Sequence, residues 1–259
     1  MASGTALVTG ASAGIGREFC RQLAAAGYDL ILVARDADRL AALASELGAQ
    51  HGVTVAVLAA DLTRDADVDR IVARIADTPA LTLLVNNAGF GTTGGVATAP
   101  PEGQEAMIRL HVLTPMRLTR AALPGFLARR QGAIVNVSSI AGFTFSAGSA
   151  NYCATKAYLT TFSEGLAAEL VGTGVRAQAL CPGFTRTEFH RRMGPGAGDR
   201  PRLLWMSAES VVRESLAALE RGRPVVCVPG VRYKLIVALV RLMPRQLLAR
   251  LSARRFRRL

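Results

Sequence analysis

The sequence predicts an α/β protein whose parallel sheet is doubly wound, with helices on both faces in a single three-layer α/β/α domain. Three observations lead there. Short apolar runs alternate with longer segments of helical period, which is the pattern of repeated βα units. Those runs are apolar at nearly every position rather than at every second one, as strands buried on both faces require. The chain has 259 residues, half of them hydrophobic, which suits one large α/β domain better than two small ones. Aromatic residues make up only 5%, so Ala, Val, Leu and Ile must build the core.

Taken in order, the strands are expected at 5–9 (TALVT), 29–34 (DLILVA), 53–59 (VTVAVLA), 81–86 (LTLLVN), 133–137 (AIVNV), 175–180 (VRAQAL) and 225–228 (VVCV). Helices are expected at 15–26, 36–50, 65–77, 102–130, 151–171 and 207–221. Right-handed crossovers between parallel strands then put helices on both faces. The Gly-, Pro- and Arg-rich stretch 186–201 (RTEFHRRMGPGAGDRP) is the clearest long loop. It follows a strand, and in an open α/β sheet such loops line the ligand crevice, so it is a candidate substrate lid.

Charge is distributed unevenly. Residues 221–259 contain ten Arg, Lys234 and no acidic residue, whereas residues 1–220 are almost balanced. Any argument for a polyanion or a membrane partner rests on this end of the chain alone. Four scattered cysteines, Cys20, Cys153, Cys181 and Cys227, have neither disulfide nor metal-site spacing, which fits a reducing, cytoplasmic setting with no metal. The first strand starts by Thr5, leaving no room for a signal peptide. The apolar run from Leu235 to Val240 is far too short to span a bilayer.

Three motifs carry chemistry. TGASAGIG (Thr9–Gly16) stands between a strand and a helix. Gly10 permits a tight turn, Gly14 lets backbone approach a pyrophosphate, Gly16 allows close helix–strand packing, and the helix N-terminus offers N–H groups to phosphate oxygens. This is the Rossmann-like arrangement for a dinucleotide. At the end of the second strand an NAD-selective fold carries an acid for the ribose 2′-hydroxyl, but here Ala34 is followed by Arg35. A guanidinium binds a 2′-phosphate, which favours NADP(H) over NAD(H). Asp36 could reach a ribose or could cap the next helix.

The third motif is Tyr152-x-x-x-Lys156, preceded by Ser139. The i,i+4 spacing puts Tyr152 and Lys156 on one helix face. An ammonium one turn away favours phenolate and is expected to lower the Tyr152 pKa toward the working range of an acid–base catalyst. Ser139, at the end of a strand, is placed to donate a hydrogen bond to a developing oxyanion. With 29 Arg and only two Lys in the chain, a lysine at 156 stands out, because Arg would carry a charge that cannot be lost.

Taken together, TGASAGIG, Asp61-Leu62, NNAG (Asn86–Gly89), Ser139, Tyr152-x3-Lys156 and Pro182-Gly183 with Thr187 resemble, in kind and order, the short-chain dehydrogenase/reductase family. The resemblance covers roughly residues 3–230. It implies a catalytic domain over 1–230, including a lid at 186–206, and leaves 231–259 as a C-terminal helical extension. It also implies that Tyr152 is the acid–base and that Lys156 bonds the nicotinamide ribose. Gly10, Ser12, Gly14, Ile15, Gly16 and Arg35 would hold phosphates, and Asp61 and Leu62 would meet the adenine. Asn87, Ala88 and Gly89 would pack on the adenosine ribose, and Pro182, Gly183, Thr185 and Thr187 would hold the carboxamide. A homodimer or homotetramer built on the helices at 102–130 and 151–171 belongs to the same inference.

One position departs from the family pattern. Where the family carries an Asn in a proton relay, this chain has His111, four residues before Pro115. His111 is either a relay member, titrating near neutrality, or a plug for a carbonyl freed by the proline. An NADP(H) sensor with little turnover is the alternative function that follows from it.

Substrate identity is thinly encoded. Phe143 and Phe145 follow Ser139, and the lid offers Phe189, Met193, Leu203, Leu204, Trp205 and Met206 around His190, Arg191 and Arg192. Apolar walls with a few polar groups point to a large lipophilic ketone or aldehyde, interconverted with its alcohol. In the tail, Pro244 should divide two helices, whose basic and apolar residues suit peripheral contact with the inner membrane face. Docking on a sister subunit, a lid over the site, a membrane-surface scaffold and a solvated end remain alternatives for this segment. Specific nucleic-acid recognition is not expected, since no aromatic stacking platform accompanies the arginines.

Overall fold

The computed structural model describes residues 4–92, 94–189 and 201–256. Seven parallel strands form one sheet in the order β3-β2-β1-β4-β5-β6-β7. These are β1 (Thr5–Thr9), β2 (Asp29–Ala34), β3 (Val55–Ala59), β4 (Leu81–Asn86), β5 (Gly132–Val137), β6 (Val175–Leu180) and β7 (Val226–Cys227). The chain enters at the centre, winds to the β3 edge and returns to wind the other way, so a crevice opens at the carboxyl ends of β1 and β4.

Both edge strands are shorter than the sequence suggested, for local reasons. Before β3, the Thr54 carbonyl still accepts the Leu30 N–H at 2.9 Å, but its own N–H is diverted to the Asp29 carboxylate at 2.7 Å. Beside β7, only Val225 and Cys227 offer carbonyls to β6, and Pro224 has no N–H.

Helices α1 (Gly14–Ala25), α2 (Ala37–His51) and α7 (Ala208–Glu220) cover one face. Their Phe19, Leu23, Leu40, Leu47, Val211 and Val212 pack on Ala6, Val8, Leu30 and Leu32. Helices α3 (Asp65–Ala76), α5 (Thr114–Arg129) and α6 (Ala150–Glu169) cover the other. There Ile71, Leu118, Phe126 and Leu166 meet Leu7, Ile31, Val33 and Ile134. Alternate residues of one strand thus serve opposite cores, which explains the unbroken apolar runs.

The single helix expected at 102–130 is in fact α4 (Pro101–Ile108), one wide π turn (Arg109–Leu113) and α5. Pro115 lacks the N–H that would close on the His111 carbonyl, and the wider turn absorbs the break. After β7, Pro244 separates α8 (Val231–Leu242) from α9 (Arg245–Phe256), as expected. Among the described residues, no helix is long and apolar enough to cross a membrane.

The two stems of the segment expected as a lid pair with each other: Thr185 bridges Met206, and the Arg186 N–H donates to the Met206 carbonyl at 2.9 Å. The middle of that segment, with His190, Arg191, Arg192 and Met193, lies outside the described residues.

Candidate active site

A cavity of about 550 Å³ opens at the crevice between β1 and β4. It runs from the start of α2, past the Gly-rich loop, to Tyr152 on α6. Of the residues singled out in the sequence, Gly10, Ser12, Gly14, Ile15, Arg35, Asp61, Leu62, Asn87, Ala88, Gly89, Ser139, Tyr152, Lys156, Pro182, Gly183, Thr185 and Thr187 all line it. Gly16 and His111 do not; both stand behind the wall.

Gly16 is where the loop packs most tightly. A Cβ there would come within 2.3 Å of the Gly10 carbonyl oxygen and 2.4 Å of the Asn87 amide. Asn87 in turn donates to the Thr9 carbonyl at 2.9 Å, and the Thr9 hydroxyl accepts the Asn87 and Ala88 N–H groups at 2.9 and 3.0 Å. Asn87 therefore braces the loop as well as facing the cavity. The N-cap of α1 is Ala13, which has no side-chain cap, so the first N–H groups of the helix are left for a ligand at the cavity wall.

At the α2 end, Asp36 caps the helix, accepting the Arg39 N–H at 3.0 Å, and also pairs with the Arg39 guanidinium at 3.3 Å. The capping role weighed for Asp36 is the one observed. Arg39, absent from the residues singled out in the sequence, lines the cavity with Arg35 and reaches Glu188 at 3.1 Å. That ion pair ties α2 to the first stem of the lid across the cleft. The fit to a nicotinamide dinucleotide is good: a cationic end, an uncapped helix N-terminus at the middle, and a phenol and ammonium at the far end.

Tyr152 and Lys156 are fixed by β5 and α6. The Ser138 hydroxyl donates to the Lys156 carbonyl at 2.7 Å, and Lys156 Nζ donates to the Val137 carbonyl at 2.9 Å. Lys156 Nζ stands 5.8 Å from the Tyr152 ring centroid. Burial dominates the electrostatics of both groups and favours their neutral forms. It pushes the Tyr152 phenol up to about 12, opposed by a hydrogen bond from the Ser139 hydroxyl. It brings the Lys156 ammonium down to about 8. The expected depression of Tyr152 by Lys156 is therefore absent from this geometry: burial sets the direction, and the opposing hydrogen bond comes from Ser139. What the site holds is a protonated phenol.

His111 is held by two hydrogen bonds that its own stretch of sequence did not show. Burial, and the Lys156 charge after it, hold its pKa well below the usual imidazole value and favour the neutral ring. Its ring nitrogens do not meet the carbonyl that Pro115 leaves unpaired. Its Nε2 accepts the Phe90 N–H at 3.2 Å, so the proton sits on Nδ1 and is donated to the Thr155 hydroxyl at 3.0 Å. Thr155 passes its own proton to the Tyr152 carbonyl at 2.9 Å. The imidazole clasps the loop after β4 to the turn of α6 that carries Tyr152.

Other assignments change too. Phe143 and Phe145 are absent from the cavity wall; the guanidinium groups of Arg241 and Arg245 lie over them. Trp205 packs on Phe184 with ring centroids 5.7 Å apart, and Leu203 is exposed. The wall instead carries the apolar side chains of Phe90, Leu110 and Phe189, and of these Phe189 lies 6.1 Å from the Tyr152 ring. Among the described residues, no cluster of His, Cys, Asp and Glu could hold a metal ion.

A doubly wound parallel sheet with a Gly-rich phosphate turn at its switch point defines a dinucleotide-binding α/β protein. The family model for short chain dehydrogenase matches residues 4–197, and the chain belongs to that family of oxidoreductases. It is 38% identical over 220 residues to a probable NADP-dependent dehydrogenase of Haemophilus influenzae, spanning 84% of this chain and 86% of that one. A short-chain dehydrogenase of Sphingobium yanoikuyae, solved in complex with NADPH, superposes with a TM-score of 0.84 at 38% identity, covering 91% of this chain and 93% of the other. The bulky-bulky ketone specific alcohol dehydrogenase of Comamonas testosteroni gives a TM-score of 0.80 at 31% identity, covering 93% and 95%.

Proposed function

We propose that this oxidoreductase uses NADP(H) to interconvert a lipophilic ketone or aldehyde with its alcohol, with Tyr152 as the proton donor. The observation that carries the reading is the presence of Ser139, Tyr152 and Lys156 on the same cavity wall as the Gly-rich loop and the Arg35–Arg39 pair. Bound NADPH would supply the hydride. Tyr152 gives its proton to the oxygen of the reduced carbonyl, and the Ser139 hydroxyl donates to that oxygen as charge develops. A phenol pushed up to about 12 is fully protonated at neutral pH, which suits the reductive direction. Lys156, poised near neutrality, stabilises the phenolate left behind and is placed to bond the nicotinamide ribose.

The preference for NADP(H) is supported by two guanidiniums at the α2 end, by the NADPH held in the Sphingobium structure and by the name of the Haemophilus relative. A lipophilic substrate is supported by Phe189 beside the reacting phenol, with Phe90 further along the same wall, and by the bulky ketones named for the Comamonas enzyme. Four buried free thiols agree with a reducing, cytoplasmic setting, and α5 and α6 are the helices on which a dimer or tetramer would be built.

The test is NADPH consumption against a panel of aliphatic, aromatic and acyl-chain ketones and aldehydes, with Tyr152→Phe as control. Turnover that is weak with NADH and disappears in the variant supports the reading. Tight NADPH binding without turnover on any carbonyl would leave the sensor, whose motive was His111.

A further inference from the structure

Helices α8 and α9 carry a surface that hydride transfer does not use. α8 commits only Tyr233 and Val237 to the interior. The Tyr233 ring lies against Gly183, where a Cβ would come within 2.1 Å of it. Its hydroxyl accepts the Phe184 N–H at 2.9 Å and donates to the Leu204 carbonyl, while Arg232 donates to the Leu203 carbonyl at 2.6 Å. The inner side of α8 thus holds both stems of the lid. The loop that follows Ser139 is tied to the same helices. Arg241 stands 4.7 Å from the Phe143 ring, Arg245 stands 5.6 Å from the Phe145 ring, and Ser252 Oγ accepts the Ala147 N–H at 2.7 Å.

The outer side is apolar and open. Leu235, Leu239 and Leu242 on α8 are 66%, 62% and 83% exposed, and Leu247 and Leu251 continue the exposure along α9. Arg232, Lys234, Arg241, Arg245 and Arg250 are exposed among them. No Asp or Glu occurs from residue 221 to the end of the sequence. Leucines in this number gain from leaving water, and the surrounding cations choose the partner. A second copy of the same surface would bring like charge against like charge. A nucleic acid would neutralise the arginines and leave the leucines wet. An anionic bilayer satisfies both sets, taking the leucines below its headgroups and the cations among them.

We propose that α8 and α9 form a docking surface for an anionic phospholipid bilayer, which brings the lid stems and the 143–147 loop up to the lipid. The docking stands on the exposed residues; its purpose, delivery of an apolar carbonyl compound from the membrane, rests on the function proposed above.

The test is co-sedimentation of the full chain, without cofactor or substrate, with vesicles of phosphatidylcholine alone or mixed with phosphatidylglycerol. The protein should pellet with the mixed vesicles, stay in solution with phosphatidylcholine alone, and be released by salt. The exposed triple variant Leu235→Ser/Leu239→Ser/Leu242→Ser should lose roughly tenfold or more in vesicle affinity, with its NADPH turnover of a water-soluble ketone unchanged. Equal pelleting of variant and parent overturns the proposal, as does salt-insensitive binding by the parent. Binding to duplex DNA without binding to vesicles would assign the arginines to nucleic acid. A change in oligomeric state in place of vesicle binding would assign the leucines to a second copy. A chain that pellets but consumes no NADPH overturns the function and leaves the docking standing.

Discussion

His111 Nδ1 stands 3.0 Å from the Thr155 hydroxyl, on the turn of α6 between Tyr152 and Lys156. With Phe90 on the other ring nitrogen, both imidazole nitrogens are used structurally. Replacing His111 with Ala strands the Phe90 N–H and takes from the Thr155 hydroxyl the proton it accepts, leaving it only its bond to the Tyr152 carbonyl, so the variant should lose about 1–3 kcal/mol of stability. The pH dependence is distinctive. A buried histidine whose folded pKa is depressed binds fewer protons than the unfolded chain, so its neutral form costs stability as pH falls below about 6.5. Urea midpoints for the parent should drop on acidification from about pH 7.5 to about pH 5, and those of His111→Asn should drop less. Parallel slopes would show that His111 titrates normally.

In the proposed mechanism Lys156 should set the upper pH limit of activity. Its ammonium is held down to about 8, so it is charged below that pH and neutral above it. Tyr152, pushed up to about 12, stays protonated throughout. Reductive kcat should therefore be flat to about pH 8 and decline above it. Lys156→Arg, whose charge is not lost, should remove that decline while lowering kcat by about tenfold or more through its different fork geometry. A profile still falling near pH 8 in the variant would place the ionisation elsewhere.

The fold was legible because strands buried on both faces need apolar residues at nearly every position, and the strands at 29–34 and 81–86 form with the bounds that their apolar runs predict. The site was legible where a motif is local: Gly10 to Gly16 occupy one turn, and Tyr152 and Lys156 one helix face. It was illegible where partners are distant in sequence. Phe143 reads as a pocket wall until Arg241, almost a hundred residues on, is seen over its ring. His111 reads as a relay until Phe90 and Thr155 occupy its two nitrogens. Arg39 was missed although it falls one helical turn after Arg35 and Asp36. A charge at that spacing past a strand end was the available signal.

Arg39 should decide cofactor choice together with Arg35. Its guanidinium pairs with Asp36 and Glu188 at the cavity wall, a position from which it can also meet a 2′-phosphate. Arg39→Ala should weaken NADPH binding by about 10- to 100-fold, the scale of a charge-assisted hydrogen bond, and leave NADH binding nearly unchanged. Glu188→Gln, which relaxes the competing pair, should strengthen NADPH binding a few-fold. Equal losses for both cofactors in Arg39→Ala would mean that the residue only shapes α2.

Gly16 gives the sharpest steric prediction. A methyl group there would meet the Gly10 carbonyl and the Asn87 amide at distances no real contact sustains, and neither is the end of a flexible chain. Gly10 has little room to yield, because its own Cα is packed so closely on Asn87 and Ala88 that a Cβ there would come within 2.7 and 2.9 Å of them. Asn87 is pinned by the Thr9 carbonyl. Gly16→Ala should thus push α1 away from β1, costing about 1–3 kcal/mol of stability and misaligning the N–H groups that face the phosphates. Calorimetry should show dinucleotide binding weakened by tenfold or more for NADPH and NADH alike, which separates this loss from that of Arg39→Ala. Gly27→Ala, which meets no atom within 4 Å, is the control for backbone strain alone, since its φ of +82° penalises a side chain without any clash. If Gly27→Ala weakens cofactor binding as much as Gly16→Ala, the loss comes from general destabilisation and not from the packing of the Gly-rich turn.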